Sequence, residues 1–421
     1  MKSGDQRSEI MSEHSFKTSV KQIPLPMQYL GGKGRIVDNI LGGVNEHFKG
    51  TETFVDLFSG SGVVAFNALN QGYKVVANDI QPYSSAVLSS LMASNYGGIK
   101  ELISYLSNVT DDLLFSKCRG EYIEDYFVEK SFVSSLTSDR FSWTDYKSFC
   151  EDVELYDGRF DIVSGEKRWD LFLSYYRNTY FGVKQCAEID FLREISEDLA
   201  GNVKTHLIAS VISSLTYCVS STTHLAQYLK PSSDKNARNL LNRRNSSIIN
   251  LVIKRLNKLL EISHSEGGLV YNLDFRDAIE NIGLDSNTIL YADPPYFKEH
   301  YSRYYHVLDT FVLYDYPKLT FNSRIGSTTV GRYRDDRLVS DFGKKKLVRK
   351  AFSDLIDTCS IYGNKLAISY ACSSLVEKEF FFDYASSQGL KLKTLEFQLM
   401  HSGQGQSRHK NVTEYLFMIS K

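Results

Sequence analysis

Apolar and polar positions alternate early in the chain in a way that predicts two strand–turn–helix units. The apolar run at residues 53–58 ends at the turn sequence 59–62, and helically spaced apolar residues follow. A second run at residues 74–77 ends at Asn78 and Asp79, with another predicted helix from Ser84. Strands that alternate with helices in this order are typical of a doubly wound α/β sheet.

The alternating pattern stops after the second unit and resumes much later. From about residue 96 to residue 267 the apolar positions follow no steady period, and aromatic and polar residues are frequent. Beside a predicted helix at 346–362, further strand signals lie at residues 269–273, 288–292, 365–369, 391–397 and 414–419. The pattern predicts a Rossmann-like, doubly wound and mostly parallel sheet into which a separate region is inserted.

These signals divide the chain into three predicted parts. Residues 1–26 form a polar N-terminal tail. Residues 27–96 and 267–421 form one discontinuous α/β domain that carries the chemistry, and residues 97–266 form the inserted domain. A chain of 421 residues with 42% hydrophobic positions has enough apolar material for two domains of this kind.

Charge does not identify a partner by itself. The formal net charge is −1, so a nucleic acid has to be met by local basic patches. One such patch lies in the inserted region and comprises Lys230, Lys235, Arg238, Arg243, Arg244, Lys254 and Arg255. These residues either contact phosphates or form a solvated helix surface, and the sequence leaves both readings open.

Cysteine, histidine and N-terminal patterns point away from a metal centre and from secretion. The six cysteines and nine histidines show no zinc-site spacing, so no metal is expected. Residues 1–19 are polar and mixed in charge, and no later run is apolar and long enough to span a bilayer. We therefore expect a cytoplasmic protein.

The most informative segment is the run YADPPY at residues 291–296, in which an apolar strand meets two prolines. Pro294 and Pro295 fix φ and lack an amide donor, so the turn is expected to be stiff. The Asp293 carboxylate and the Pro294 carbonyl can accept the two hydrogens of a planar amine, and Tyr296 offers a ring for stacking. The alternative is an ordinary turn that ends a strand.

A glycine loop and an acidic residue accompany this turn. Gly60 and Gly62 let a ligand approach the backbone at a helix N-terminus, and Asp79 is placed to accept from ribose hydroxyls or to cap a helix. The spacing of Gly60, Gly62 and Ala65 also permits a dinucleotide site. Hydride transfer, however, gives no reason for the Asp293 turn or for the Tyr29-Leu30-Gly31-Gly32-Lys33 motif.

Taken together, these motifs resemble the Dam-like group of adenine-specific DNA methyltransferases. The order is that of the group: a glycine–lysine motif, a glycine-rich loop, a recognition region and then D-P-P-Y. The resemblance covers residues 27–92 and 269–421. Two positions depart from the usual pattern, since Tyr29 replaces a frequent tryptophan and Asp56-Leu57-Phe58 replaces a glutamate–proline–phenylalanine sequence.

The resemblance implies S-adenosylmethionine as cofactor. The residues implied to bind it are Tyr29, Lys33, Asp56, Gly60, Gly62, Asp79, Asp274 and Phe275. In this scheme Lys33 faces the methionine carboxylate, Asp79 the ribose and Asp274 the adenine amino group of the cofactor. The residues implied to hold the target adenine are Asp293, Pro294, Pro295 and Tyr296.

The resemblance also implies double-stranded DNA as partner, with residues 97–266 as its target-recognition domain. It leaves open a companion restriction endonuclease. A second basic segment is expected to close over the flipped base or the DNA backbone and comprises Arg332, Arg334, Arg337, Lys344, Lys345, Lys346, Arg349 and Lys350. A nearby aromatic group either stacks on bases or packs internally: Tyr301, Tyr304, Tyr305 and His306.

Two other functions fit part of this pattern. One is methylation of an adenine amino group in RNA, because a D-P-P-Y turn can serve any planar amine. The other is a DNA-binding protein that senses the cofactor without catalysis, although the intact Asp293, Pro294 and Tyr296 argue against lost chemistry.

Overall fold

A computed structural model of the protein describes residues 21–116, 118, 120–151, 168–222, 224–262, 267–295, 301–323, 326–372, 374–401 and 410–421. The strands in these ranges are β1 Thr53–Asp56, β2 Lys74–Asn78, β3 Leu269–Tyr271, β4 Thr288–Ala292, β5 Phe321–Asn322, β6 Ser327–Thr328, β7 Lys365–Ala371, β8 Lys391–His401 and β9 Lys410–Ser420.

The helices surround this sheet on both faces. Those before β3 are α1 Val37–His47, α2 Val63–Asn70, α3 Pro82–Leu91, α4 Ile99–Leu106, α5 Asp111–Phe115, α6 Gly120–Ser135, α7 Trp143–Glu151, α8 Leu171–Tyr175, α9 Val183–Glu197, α10 Gly201–Cys218, α11 Asp234–Arg244 and α12 Ile248–Leu259. Those after it are α13 Phe275–Ile282, α14 Tyr301–Tyr304, α15 His306–Leu313, α16 Val348–Tyr362 and α17 Lys378–Ser387. Short 3-10 helices lie at Lys33–Arg35 and Asp341–Gly343.

Seven of the described strands form one twisted sheet in the order β3-β2-β1-β4-β7-β9-β8. The pairs among β3, β2, β1, β4 and β7 are parallel, whereas β9 runs antiparallel to both β7 and β8. The predicted mostly parallel α/β sheet is therefore confirmed, with β9 as its reversed strand. The seven strand signals in the sequence correspond to these seven strands.

Side chains of the central strands alternate between two buried clusters. Phe54 of β1 and Ile289 of β4 pack into the cluster on one face, and Val55 and Leu290 pack into the cluster on the other. All four side chains are fully buried. This two-sided burial explains why both strands read as continuous apolar runs, which is usual for parallel strands covered by helices on both faces.

The chain order reverses between β1 and β4, because β2 lies on one side of β1 and β4 on the other. Asp56 at the end of β1 is the register partner of Tyr291 in β4, and the Leu57 amide donates to the Tyr291 carbonyl at 3.0 Å. The turn after Tyr291 therefore begins beside the loop after Asp56. A reversal of this kind is where doubly wound sheets bind ligands.

The region between β2 and β3 is helical where the structure describes it. Helix α10 packs on α3, and the Ser90 hydroxyl lies 2.8 Å from Nδ1 of His206 across that contact. Side chains of α9, α10 and α12 share one buried cluster with α1, α2 and α3. Most residues of α9 and α10 are buried, which hides the 3.6-residue period in their sequence, whereas α12 keeps a single buried face. The domain boundaries at residues 97 and 266 stay a prediction.

Three arginines of the two basic segments are structural. Arg244 is fully buried and donates to the Thr179 carbonyl at 2.6 Å and to the Tyr146 hydroxyl at 3.0 Å. Arg332 and Arg334 are also buried, and Arg334 binds both carboxylate oxygens of Asp315 at 2.7 Å. Arg244 therefore fits neither of the two interpretations left open for it, a phosphate contact or a solvated helix surface. The guanidinium groups of Arg332 and Arg334 are likewise buried, whereas the expected closing of their segment over the base stays a prediction.

No helix in the described ranges combines the length and the apolar character that crossing a membrane requires.

Candidate active site

A cleft opens at the carboxyl ends of β1, β2 and β4, with about 1000 Å³ of space between protein atoms, open solvent included. Most of the residues singled out in the sequence line it: Tyr29, Lys33, Asp56, Gly60, Asp79, Asp274, Phe275, Asp293 and Pro295. Segments far apart in the chain meet here because parallel strands place their carboxyl ends on one edge of the sheet.

The glycine loop is held by the next strand. Gly60 has a φ of +52°, and its amide donates to Oδ2 of Asp79 at 2.8 Å. The other oxygen of Asp79 accepts from the Gln81 amide at 2.8 Å. Burial raises the pKa of Asp79, and the two amide donors partly oppose this effect. Asp79 thus fixes the loop after β1 while its side chain faces the cleft, and its predicted contact with a ribose stays a prediction.

Gly62 has a different role from Gly60. It lies immediately before α2 with a φ of +78°, and an added Cβ would come within 2.9 Å of Leu91 and 3.0 Å of Leu88. Gly62 therefore lets the start of α2 pack closely against α3. Gly62 does not line the cleft, although the sequence predicted it as a cofactor residue.

Asp56 presents a buried carboxylate to the cleft. It is 1% exposed, and neither of its carboxylate oxygens meets a donor in hydrogen-bonding geometry among the described residues. Burial raises the pKa of Asp56 well above its usual value, and the charges of Asp293 and Asp79 raise it further. The nearby Ser59 hydroxyl, which donates to the main-chain carbonyl of Asp56 at 2.9 Å, and the Phe58 amide lower the pKa only in part. A cationic or hydrogen-bond-donating ligand would relieve this arrangement.

Lys33 lies against the Asp293 turn. Its ammonium is 3.1 Å from Oδ1 of Asp293 and 3.5 Å from Oε2 of Glu414. Burial lowers the pKa of Lys33, but the two carboxylates outweigh it and the pKa is raised above its usual value. Lys33 is therefore a buried cation shared by two carboxylates. Its predicted contact with a methionine carboxylate stays a prediction.

The turn after β4 is buried at its base and opens into the cleft. Pro294 is buried, whereas Asp293 and Pro295 are half-buried and line the cleft. The next residue, Tyr296, lies outside the described residues, so its predicted role as a stacking platform stays a prediction.

The far end of the cleft is aromatic. Phe275 packs against Phe58 with ring centroids 5.7 Å apart and against Phe342 at 5.2 Å. Asp274 precedes α13, and its Oδ1 accepts from the Arg276 amide at 3.1 Å. Its side chain is partly exposed, which leaves carboxylate surface toward the cleft.

The aromatic group after the turn holds the glycine–lysine motif. Tyr29 stacks on Tyr305 with centroids 5.2 Å apart and on Tyr301 at 5.4 Å. The Tyr301 hydroxyl donates to the Leu30 carbonyl at 3.0 Å, and the Leu30 amide donates to the Tyr305 hydroxyl at 2.7 Å. Tyr305 and the adjacent His306 are fully buried. The sequence left base stacking and internal packing open for this group. Internal packing is the role that fits Tyr305 and His306, because both are buried.

The cleft also contains residues that sequence reasoning missed. Gln81 is 7% exposed, and its Oε1 has no hydrogen-bond donor among the described residues. Leu338 and Ser340 approach from the segment before α16. Glu414 of β9 reaches Lys33 from the reversed strand. Only Gln81 carried a signal, since it follows Asp79 by two positions at a strand end.

Metal ligation finds no support in the residues that the structure describes, where no group of three or more His, Cys, Asp or Glu side chains is arranged to hold an ion.

The sheet and its cleft define an α/β protein of the doubly wound class, with acidic and glycine residues at successive strand ends and an Asp-Pro-Pro turn beside them. Residues 29–365 match the model of the D12 class N6 adenine-specific DNA methyltransferase family, and the chain belongs to this family. The resemblance inferred from the order of the motifs is confirmed at this level.

Several curated proteins are similar to the chain over nearly all of its length. The type II methyltransferase M.FokI of Planomicrobium okeanokoites is 27% identical, over 94% of this chain and 53% of its own. The modification methylase StsI of Streptococcus sanguinis is 23% identical, over 94% and 52%. The type II methyltransferase M.CviAII of Paramecium bursaria Chlorella virus 1 is 23% identical, over 93% and 97%. The chain thus spans about half the length of M.FokI and StsI.

Proposed function

We propose that the chain transfers a methyl group from S-adenosylmethionine to the exocyclic amino nitrogen of an adenine in duplex DNA. The observation that carries this proposal is the single cleft in which the Asp293 turn meets the glycine loop of Gly60. A methyl donor and a methyl acceptor have to share one site for direct transfer, and the two halves of this cleft suit one partner each.

The residues present fit S-adenosylmethionine. Asp56 and Gln81 direct buried acceptors without donors into the cleft, which suits an ammonium group and hydroxyl groups. The Gly60 loop brings backbone close to the ligand, and the aromatic rings around Phe275 suit a flat purine. Asp79 and Asp274 line the same space and remain proposed contacts of the ribose and of the cofactor's amino group.

The other half of the cleft suits an adenine taken out of the duplex. The lone pair of the amino nitrogen is delocalised into the ring, and acceptors for its two hydrogens draw the group toward tetrahedral geometry. Asp293 and the Pro294 carbonyl are the proposed acceptors, and Pro295 holds the turn rigid. Tyr296 remains the proposed stacking residue.

When bound, S-adenosylmethionine supplies a methyl group on a positively charged sulfur, so the leaving group needs no further activation. The adenine amino nitrogen, held by Asp293 and the Pro294 carbonyl, would accept this methyl group and would then give up one proton to water. The protein's part is to orient the amine, to accept its hydrogen bonds and to keep a net negative site around developing positive charge. The two carboxylates of Asp293 and Glu414 outnumber the single positive charge of Lys33 beside them.

We further propose that the chain is the modification enzyme of a restriction–modification system, with residues 97–266 as its recognition domain. The supporting observation is the similarity to M.FokI, StsI and M.CviAII, whose names are those of type II methyltransferases and a modification methylase. Exposed lysines of the inserted region, Lys230, Lys235 and Lys254, are the proposed phosphate contacts. A companion endonuclease and a cytoplasmic location complete this proposal.

Asp293→Ala tests the reaction. We expect no transfer of tritiated methyl to DNA and unchanged binding of S-adenosylmethionine by calorimetry, because Asp293 serves the amine and not the donor. Asp277→Ala, an exposed aspartate on α13, is the matched control and keeps activity. Full activity of the Asp293 variant contradicts the proposal.

The substrate is tested with the wild-type chain. Mapping of N6-methyladenine in genomic DNA after expression in an unmethylated host should show one recurring duplex sequence. Methylation of structured RNA in place of duplex DNA identifies the RNA enzyme instead, and tight DNA binding without any turnover identifies the silent cofactor sensor.

A further inference from the structure

Glu414 lies on the reversed strand of the sheet and contacts Lys33, which lines the cleft. It lies near the start of β9, where its register partners are Ala371 of β7 and Phe397 of β8. Because β9 runs antiparallel to β7, its first residues lie at the edge where the parallel strands end. Glu414 is buried, and its carboxylate meets the Lys33 ammonium at 3.5 Å.

Lys33 joins Glu414 to the residue proposed to hold the amine. Its ammonium also lies 3.1 Å from Oδ1 of Asp293. The exposed fractions of the three side chains are 6% for Lys33, 18% for Asp293 and 5% for Glu414. A cation this deeply buried needs a carboxylate partner at all times, since an unpaired buried charge is strongly unfavourable.

The same contact sets a requirement for the reaction. Asp293 has to accept a hydrogen from an adenine amino group with the carboxylate that also binds Lys33. If Asp293 were the sole partner of Lys33, each weakening of that ion pair would leave a buried cation unpaired. A second carboxylate removes this conflict, because the ammonium can shift toward it as Asp293 turns to the amine.

We propose that Glu414 is a positioning residue for methyl transfer, which acts by holding the Lys33 ammonium so that Asp293 is available to the adenine amino group. The inference rests on the proposed function. It explains why three charged groups are buried together at this point. A buried ion triad is poor at stabilising a fold compared with apolar residues of the same volume, so stability alone gives no reason for it.

Glu414→Gln is the first test, with Glu396→Gln as matched control. Glu396 lies on the neighbouring strand β8, opposite Tyr415. Its substitution by glutamine removes the same charge at a position away from the cleft. With saturating S-adenosylmethionine and duplex DNA, we expect Glu414→Gln to lower the single-turnover rate about tenfold or more. Its dissociation constant for S-adenosylmethionine should stay within about threefold of wild type, because its effect is on the amine.

A readout without substrate accompanies the rate. In the ligand-free protein, the Lys33 ammonium should exchange its protons with water faster in Glu414→Gln than in wild type, because one of its two carboxylate partners is lost. Glu414→Asp, which keeps the charge on a shorter side chain, should give an intermediate rate. If Glu414→Gln does not fold, Glu414→Asp carries the test, and a wild-type rate for it overturns the proposal.

The Lys33→Met background distinguishes positioning from simple destabilisation. If Glu414 acts through Lys33, adding Glu414→Gln to Lys33→Met causes no further loss of rate, whereas an independent role adds the same factor in both backgrounds and overturns the proposal. A wild-type rate for Glu414→Gln also overturns it. In that case, activity of the wild type and of Glu396→Gln still supports methyl transfer, whereas an inactive wild type contradicts the proposed function itself.

Discussion

The ring of Tyr29 lies directly over Gly60, so that a Cβ on Gly60 would be 2.7 Å from the Tyr29 hydroxyl oxygen. Both residues belong to motifs that the sequence places far apart. Their contact joins the glycine–lysine motif to the glycine loop, and it leaves room for no side chain at position 60. Glycine is thus required at position 60 for two reasons: the backbone has a φ of +52°, and the Tyr29 ring leaves no space for a Cβ.

Gly60→Ala is therefore expected to weaken S-adenosylmethionine binding about tenfold or more, because the new methyl group displaces Tyr29 and the loop amides. The left-handed conformation should also lower the free energy of unfolding by about 1–2 kcal/mol. Calorimetric titration with the cofactor and urea unfolding measure the two effects.

Gly72→Ala is the matched control for backbone strain. Gly72 has a φ of +92°, and an added Cβ would meet no atom within 4 Å. This variant should lose similar stability and keep full cofactor affinity. Equal losses of affinity in the two variants would show that strain alone, and not the contact with Tyr29, governs the cleft.

Whether a contact in this site could be predicted from the sequence depends on how the fold brings its two residues together. Gly60, Asp79 and Asp293 follow predicted strands directly, and parallel strands bring such residues to one edge, so their meeting was predictable. The contact of Glu414 with Lys33 was not, because it depends on the reversal of β9 and its position between β7 and β8. No local pattern encodes that register.

The basic segments show the same limit. Charge in a sequence does not say whether a side chain faces solvent, and Arg244 illustrates this. It lies on α11 with exposed arginine and asparagine neighbours in the chain, yet it is fully buried against Tyr146 and Thr179. Helices α9 and α10 were also missed, because most of their residues are buried and they lack a clear amphipathic period.

Asp56→Asn is expected to separate stability from function. The buried Asp56 carboxylate lacks a donor among the described residues, and its raised pKa means that folding disfavours its charge at neutral pH. The amide should raise the free energy of unfolding of the ligand-free protein by about 1–3 kcal/mol at pH 8. It should also weaken S-adenosylmethionine binding, because a neutral group replaces a carboxylate proposed to meet a cation.

Asp309→Asn is the matched control for this pair of effects. Asp309 is another buried carboxylate with a raised pKa, but it lies on α15 and does not line the cleft. We expect stabilisation without loss of cofactor affinity. Weakened cofactor binding in both variants would remove the proposed contact of Asp56 as the explanation.

Substitution of Arg244 should affect stability, whereas substitution of Lys254 should affect DNA binding. Arg244→Lys cannot reproduce the two donor directions toward Thr179 and Tyr146, so urea unfolding should show a loss of about 2 kcal/mol or more. Lys254→Gln, at an exposed position, should leave stability unchanged and lower the slope of DNA affinity against salt by about one phosphate contact. A salt slope equal to wild type would exclude Lys254 from the DNA interface.

The stability of the protein should depend on pH through Asp309. Burial raises the pKa of Asp309 from 3.8 to about 7, while its Oδ1 accepts one hydrogen bond from the Tyr83 amide at 3.2 Å. A raised folded-state pKa means that the contribution of the group to stability is complete below about pH 4 and is lost as the pH rises to about 7. Asp309→Asn keeps an acceptor for Tyr83 and does not titrate. Its advantage over wild type in the free energy of unfolding should therefore grow by about 2–3 kcal/mol between pH 5 and pH 8, since one pKa unit corresponds to about 1.4 kcal/mol. Urea unfolding of both proteins across this range measures the difference, and a constant difference would show that Asp309 keeps its ordinary pKa in the folded protein.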